Sequence, residues 1–202
     1  MAALRGEFGV AGAVRPAVGS GSRRTPSRCL RGHTLAVGGA TAGWSHAYGL
    51  PTVTCEVCYA RPEARDSKAT WCLLDPTVQY SAGKAPDLGL VLVTLPPAQR
   101  RAGVGRIELR WDRKPVGAVW LAICAPCRRA LLTGLRVEPD RRRLGYGTVL
   151  VAAALALAAP PDYRWSTTAL PDSPEVLAFW ATVGGFPGLG SPEPCSDMRV
   201  PE

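Results

Sequence analysis

The second half of the chain alternates between two hydrophobic periods. Gly89-Leu-Val-Leu-Val-Thr94 is a short continuous apolar run, which predicts a buried strand. Between Arg106 and Trp111, Ile107, Leu109 and Trp111 alternate with polar residues, which predicts a strand buried on one face. Gln99 to Val104 reads as a basic turn between these two runs. Arg113-Lys114-Pro115 is a further turn, Val116–Ile123 the next strand, and Cys124-Ala-Pro-Cys127 a tight turn into a strand over Arg129–Val137. Short turns between consecutive strands predict an antiparallel meander. The period then changes. After Glu138-Pro139-Asp140 and three arginines, an Ala/Leu/Val run from Thr148 to Ala159, before Pro160-Pro161, predicts a helix packed on the sheet. Tyr163–Thr168 is a strand. Asp172-Ser173-Pro174-Glu175 starts a second helix, with Ser173 or Asp172 as cap and Pro174 in the first position, and it ends at Gly184-Gly185-Phe186.

The first half lacks this periodicity. Residues 1–24 are rich in Ala, Gly, Arg and Ser, with Glu7 as the one acidic residue, and are expected to be a disordered tail. An arginine-rich, acid-poor start also admits an organelle transit peptide or a start codon placed too far upstream. Residues 25–75 form a cysteine-rich unit, Asp75 to Pro86 reads as a linker, and residues 86–202 make the main domain.

Composition adds three constraints. A hydrophobic share of 47% supports a domain-sized core. No apolar run reaches the roughly 18–20 residues of a membrane span, so no membrane partner is expected. The net charge of +8 is almost entirely arginine. It suits an anionic ligand and equally a nucleic acid, although a GC-rich coding bias (Asn absent, Lys scarce) accounts for part of the excess.

Seven cysteines with no apolar signal-peptide core point to reduced thiols, a cytoplasmic setting and metal ligation before disulfides. Cys29-Leu-Arg-Gly-His33 and Cys55-Glu-Val-Cys58 each place two ligands on one turn. Cys29, His33, Cys55 and Cys58 make a Cys₃His set that tetrahedral Zn²⁺ accepts, and a fully protein-ligated site is structural. A unit this short needs such a staple. It reads as a zinc ribbon or knuckle. His46 remains an alternative to His33, and Cys72 an alternative to either ligand type. Cys124 and Cys127 admit three readings: a Cys₄ site with Cys55 and Cys58, a redox pair, or ordinary residues at a hairpin tip. Cys195 reads as a bystander.

A strand, a glycine-bearing loop and a helix N-terminus follow one another over Leu135–Thr148. Free N–H groups of a first helical turn and the helix dipole favour an anion there. Gly145 and Gly147 let a phosphate approach the main chain, and Arg141, Arg142 and Arg143 add charge. This suits a diphosphate. The spacing is neither a P-loop nor a dinucleotide fingerprint.

Arg142-x-x-Gly145-x-Gly147 after Leu135-Arg136-Val137-Glu138-Pro139 resembles the acetyl-CoA loop of the GNAT acetyltransferases. The resemblance extends from about Arg106 to Phe186, under half the chain. It implies an α/β (α+β) fold: a mixed, mainly antiparallel twisted sheet flanked by helices, here with a small zinc-ribbon-like N-terminal unit. It implies acetyl-CoA as co-substrate, held by Leu135, Arg136, Val137, Arg142, Arg143, Leu144, Gly145, Tyr146, Gly147 and Thr148. It also implies direct attack of an amine on the thioester, with a backbone N–H near Arg136 for the oxyanion.

Three departures stand out. The family has two helices where only the stretch from Thr94 to Arg106 is present, so the acceptor region is shortened. Trp180 or Ala181 stands where the family's hydroxyl acid lies. No carboxylate occupies the strand Arg129–Val137, which leaves Glu108 and Asp112 as the candidate bases. The acceptor is a small-molecule or protein amine. The competing expectation is a non-catalytic zinc-ribbon module that binds nucleic acid or protein on a degenerate GNAT scaffold or CoA sensor.

Overall fold

The structure is a computed structural model that describes residues 13–17, 27–29, 31–35, 39–60, 69–96, 102–158, 162–184 and 186–198. Expectations on residues 1–12, 18–24, 97–101, 159–161 and 185 lie outside these. Two sheets organise the described residues. The smaller is built from β1 (Ala13–Pro16), β2 (Ala40–Ser45), β3 (Leu50–Cys55) and β4 (Thr70–Leu74), in the order β1-β4-β3-β2. A one-turn helix, α1 (Glu56–Tyr59), follows β3. The larger holds β5 (Gln79–Ser81), β6 (Leu90–Leu95), β7 (Ala102–Trp111), β8 (Lys114–Cys124), β9 (Arg129–Val137) and β10 (Arg164–Thr167), in the order β10-β9-β8-β7-β6-β5. Helix α2 (Tyr146–Leu157) joins β9 to β10, and α3 (Pro174–Val183) follows β10.

The meander β6-β7-β8-β9 is antiparallel, while β10 lies parallel to β9 and β5 parallel to β6. The short turns of the sequence permit only antiparallel neighbours, whereas the crossover through α2 brings β10 back parallel. Helix α3 begins as its sequence requires. Ser173 is the N-cap, its Oγ accepts from the Val176 N–H, and Pro174 occupies the first turn.

Alternation explains how the two sheets join. In β1, Ala13 faces one core and Val14 the other. In β4, Trp71 and Leu73 pack with the cysteine cluster, while Cys72 and Leu74 pack into the large core with Ile107, Leu109, Val119 and Leu150. β1 and β4 are therefore buried on both faces, and the core on one of them is continuous with that of residues 86–202.

Three expectations change here. Within the tail 1–24, Ala13–Pro16 is a strand with Val14 fully buried, because an apolar pair in β register finds β4 to lie against. The linker Asp75–Pro86 contains β5, which closes the edge of the large sheet. Gln79 bonds through its side chain to the Ala153 carbonyl and accepts from the Thr94 hydroxyl. Of the basic turn at Gln99–Val104, Ala102–Val104 belongs to β7, whose pairing with β8 extends to Ala102↔Cys124. Among the described residues no helix is long and apolar enough to cross a membrane.

Candidate functional site

β9 leads into the loop that the sequence singles out. Its pairing with β10 runs from Arg164↔Arg129 to Thr167↔Leu132, and the Thr168 N–H closes it on the Leu132 carbonyl at 3.1 Å. Beyond this point β9 continues to Val137, and among the described residues no strand pairs with it on that side. A register irregularity at Trp120/Leu121 puts Gly134 opposite Trp120 and Leu132 opposite Leu121. The Glu138 N–H donates to the Val116 carbonyl at 3.1 Å. Ladder alternation therefore turns the main-chain groups of Arg136 toward β8 and those of Leu135 and Val137 toward the open edge. The Val137 carbonyl accepts from Arg142 Nε at 3.2 Å. The Leu135 and Val137 N–H groups thus face the edge, while the Arg136 N–H turns toward β8.

Past Val137 the chain makes a 3₁₀ turn over Pro139–Arg141, then places Arg143 (φ 62) and Gly145 (φ 86) in the left-handed region. Arg142 is extended, and the two left-handed residues that follow, on either side of Leu144, turn the main chain sharply into α2, the turn conformation of a main-chain nest. The first helical bond of α2 comes from Val149 to the Gly145 carbonyl, so the Tyr146, Gly147 and Thr148 N–H groups have no acceptor within the helix. Arg142 and Arg143 are exposed beside them. Arg141 is turned aside, its guanidinium 4.4 Å from the Trp111 ring centroid and 3.0 Å from Asp140. The loop fits a diphosphate through main-chain donors, helix dipole and two cations.

The two glycines have packing reasons of their own. A Cβ on Gly145 would fall inside the Val14 carbonyl oxygen, and the Val14 N–H donates to the Leu144 carbonyl at 2.6 Å. A Cβ on Gly147 would lie 2.9 Å from the Phe179 ring of α3. Their bareness admits β1 and α3, and any anion approaches along the N–H directions instead. Tyr146 is 1% exposed, and its hydroxyl donates to Tyr48 at 3.5 Å. Burial, then the Tyr48 contact, raises its pKa far above the phenol range. Only its main chain is left for a ligand.

The expected bases are otherwise engaged. Glu108 is 5% exposed and clamped between Arg106 (2.7 Å) and Arg110 (2.6 Å). Asp112 sits in the β7–β8 turn at φ 47 and accepts from the Gly89 N–H at 2.8 Å. Trp180 is buried against Phe179 and Phe186, so no hydroxyl stands at that position. A cavity of about 590 Å³ lies between Tyr48–Pro51 and β5–β6; no residue of the β9–α2 loop lines it.

The structure brings Cys29, His33, Cys55 and Cys58 together, with one ligand atom from each within 4.8 Å of the others. Cys29 Sγ lies 3.8 Å from Cys58 Sγ and 3.4 Å from His33 Nδ1, which is 3.2 Å from Cys58 Sγ. Edges of this length are those of a tetrahedron with metal–ligand bonds of about 2.0–2.3 Å. The Arg31 and His33 N–H groups donate to Cys29 Sγ, each at 3.3 Å. Burial opposes the Cys29 thiolate, but these N–H groups and the nearby thiols outweigh it and lower its pKa. Burial, then Cys55 and Cys29, push Cys58 up to about 12. The donor set can hold a metal ion. Of the alternative ligands, His46 is exposed and Cys72 faces the large core. Cys124 and Cys127 do not join Cys55 and Cys58. They meet Cys195 and Asp197 instead, a juxtaposition with no signal in residue spacing.

Strand β9, the nest and the α2 N-terminus lie together within a stretch that matches a known family. Residues 94–184 match the Acetyltransferase (GNAT) family, and the chain carries a GNAT acetyltransferase domain over this stretch, under half its length. Among solved structures it is similar to an aminoglycoside acetyltransferase from an uncultured soil metagenomic sample, solved with sisomicin and with trehalose. Identity is 16%, with 44% of this chain and 60% of that one covered and a TM-score of 0.39. It is also similar to a tandem GNAT protein from the clavulanic acid biosynthesis pathway, at 31% identity over 45% of this chain and 30% of that one, with a TM-score of 0.37. No match is found among the curated proteins.

Proposed function

We propose that the protein is an acetyl-CoA-dependent N-acetyltransferase in which an amine attacks the thioester directly. The observation that carries this reading is the open β9 edge, Leu135 to Val137, running without interruption into the Arg143–Gly145 nest and the α2 N-terminus. The co-substrate would supply the activated acetyl group. The nest, the Tyr146–Thr148 N–H groups, Arg142 and Arg143 hold its diphosphate. The Leu135 and Val137 N–H groups bind the extended chain behind the thioester and polarise its carbonyl. Holding amine and thioester together supplies most of the rate. With Glu108 and Asp112 engaged, the amine's proton leaves through water at the open edge. The acceptor is an amine on a small molecule or a protein.

The Cys29–His33–Cys55–Cys58 cluster holds structural Zn²⁺ in this reading. Four protein donors leave no position for a substrate, so the metal fixes the fold of the small sheet and takes no part in acyl transfer. Reduced thiols suit a cytoplasmic setting.

The test is calorimetric titration with acetyl-CoA, followed by thiol release against a panel of amines. Binding in the micromolar range that weakens with salt and is lost in a variant carrying both Arg142→Ala and Arg143→Gly is expected. No binding to metal-replete, folded protein overturns the reading and leaves the basic surface as a site for nucleic acid or protein.

A further inference from the structure

The C-terminal segment does not end as a free tail. After α3 it turns back over the far end of the large sheet. The Gly190 N–H donates to Thr167 Oγ1 at 2.8 Å, and the Glu193 N–H to Ser166 Oγ at 3.1 Å. Arg129 donates to the Pro194 carbonyl at 3.1 Å. Met198, 7% exposed, packs against Ala102, Ala122, Cys124 and Leu131. Each contact is modest, but together they bring Cys195 and Asp197 against the β8–β9 turn, where Cys124 and Cys127 lie.

The four side chains converge, with one ligand atom from each within 4.8 Å of the others. Three sulfurs and a carboxylate gathered so closely repel one another once ionised, unless a cation lies between them. Each pair lies at one tight turn. The Arg128 N–H closes the Cys124–Cys127 turn on the Ala125 carbonyl at 3.3 Å, with Arg128 at φ 49. The Met198 N–H closes the other on the Cys195 carbonyl at 3.0 Å, and the Asp197 and Met198 N–H groups also point at the Cys195 sulfur. Cys29 receives the same kind of N–H pair in the first cluster.

We propose that Cys124, Cys127, Cys195 and Asp197 form a second metal site, a Cys₃Asp centre for a tetrahedral divalent cation of the Zn²⁺ type. Three thiolates select a borderline-soft cation over Mg²⁺ or Ca²⁺, and a fourth protein oxygen closes the coordination. Each cysteine releases its proton on binding. The site staples the C-terminal segment to the β8–β9 turn. It lies at the opposite end of β9 from the Arg143–Gly145 nest, roughly 25–30 Å away by strand rise. It is therefore structural, and independent of both acyl transfer and the first cluster.

The experiment is elemental analysis of the full chain purified with reductant and without chelator, repeated after Co²⁺ substitution. Wild type is expected to carry about two ions per chain, one for each four-ligand cluster. Cys195→Ser and, separately, Cys127→Ser should each remove one ion, together with part of the Co²⁺–thiolate absorption. Neither position is fully buried, so the substitutions themselves leave no core cavity, and acetyl-CoA affinity should stay unchanged. Cys55→Ser should remove the other ion alone. A single ion that survives Cys195→Ser overturns the proposal and leaves the first cluster intact. A single ion that survives Cys55→Ser but not Cys195→Ser supports this site and rejects the first. A Cys127–Cys195 disulfide in peptide maps of non-reduced wild type, with one ion bound, also overturns it.

Discussion

Gly145→Ala tests the joint between the two sheets. Gly145 has φ 86, so alanine there carries left-handed strain of about 1–2 kcal/mol. Strain is the smaller part. The new methyl would fall inside the Val14 carbonyl oxygen, so β1 must move away from the loop. That movement breaks the hydrogen bond from the Val14 N–H to the Leu144 carbonyl, worth about 1 kcal/mol net. It also re-exposes part of Val14, now 0% exposed, whose full burial contributes about 1.5–3 kcal/mol. The total is about 3–5 kcal/mol, a large share of a typical domain's stability. Gly49 isolates the strain term, since it has φ 63 and nothing within 4 Å of an added Cβ. Urea unfolding of both variants, with unchanged m-values, reads the difference. Gly145→Ala is expected to cost at least about 2 kcal/mol more than Gly49→Ala. Equal costs would refute the docking of β1 against the loop, and with it the packing reason for Gly145.

Other predictions follow from the same geometry. Arg143→Gly removes one of two cations while relieving a left-handed residue, so stability should hold or rise by about 1 kcal/mol while acetyl-CoA binding weakens and becomes less salt-dependent. Chemical denaturation beside calorimetry separates the two effects. Glu108→Gln leaves Arg106 and Arg110 facing each other without their shared carboxylate, which should cost about 1–3 kcal/mol and leave the pH profile of turnover unmoved. A profile shifted at unchanged stability would restore Glu108 as a base. Ser173→Ala should destabilise α3 by about 1 kcal/mol. The Ser173 hydroxyl, with its own main chain next, holds the Glu175 carboxyl below its usual value. A depressed carboxylate stabilises above its unfolded pKa, and that contribution is lost as pH falls through the lowered one. In Ser173→Ala the Glu175 titration followed by NMR should move up, and α3 should lose this part of its acid sensitivity.

Local sequence carried the meander, α2 and α3 because period and turn chemistry act between near neighbours. Arg106–Trp111 alternates since β7 buries one face, and Ser173-Pro174 begins α3 since it satisfies the first turn by itself. The grouping of Cys29, His33, Cys55 and Cys58 was legible because Cys29/His33 and Cys55/Cys58 are each paired within one turn. Three features needed the tertiary structure. β1 and β5 are too short to show a period, and become strands only because β4 and β6 offer an edge. Cys195 and Asp197 lie far along the chain from Cys124 and Cys127, and only the returning C-terminal segment joins them. The roles of Gly145, Tyr146 and Glu108 depend on Val14, Tyr48 and the flanking arginines, whose approach is a matter of packing in space. Sequence by itself determined which segments could make a CoA-type loop and a thiol cluster. Tertiary structure decided which of their atoms remain available, because burial and close contact are set by residues distant along the chain.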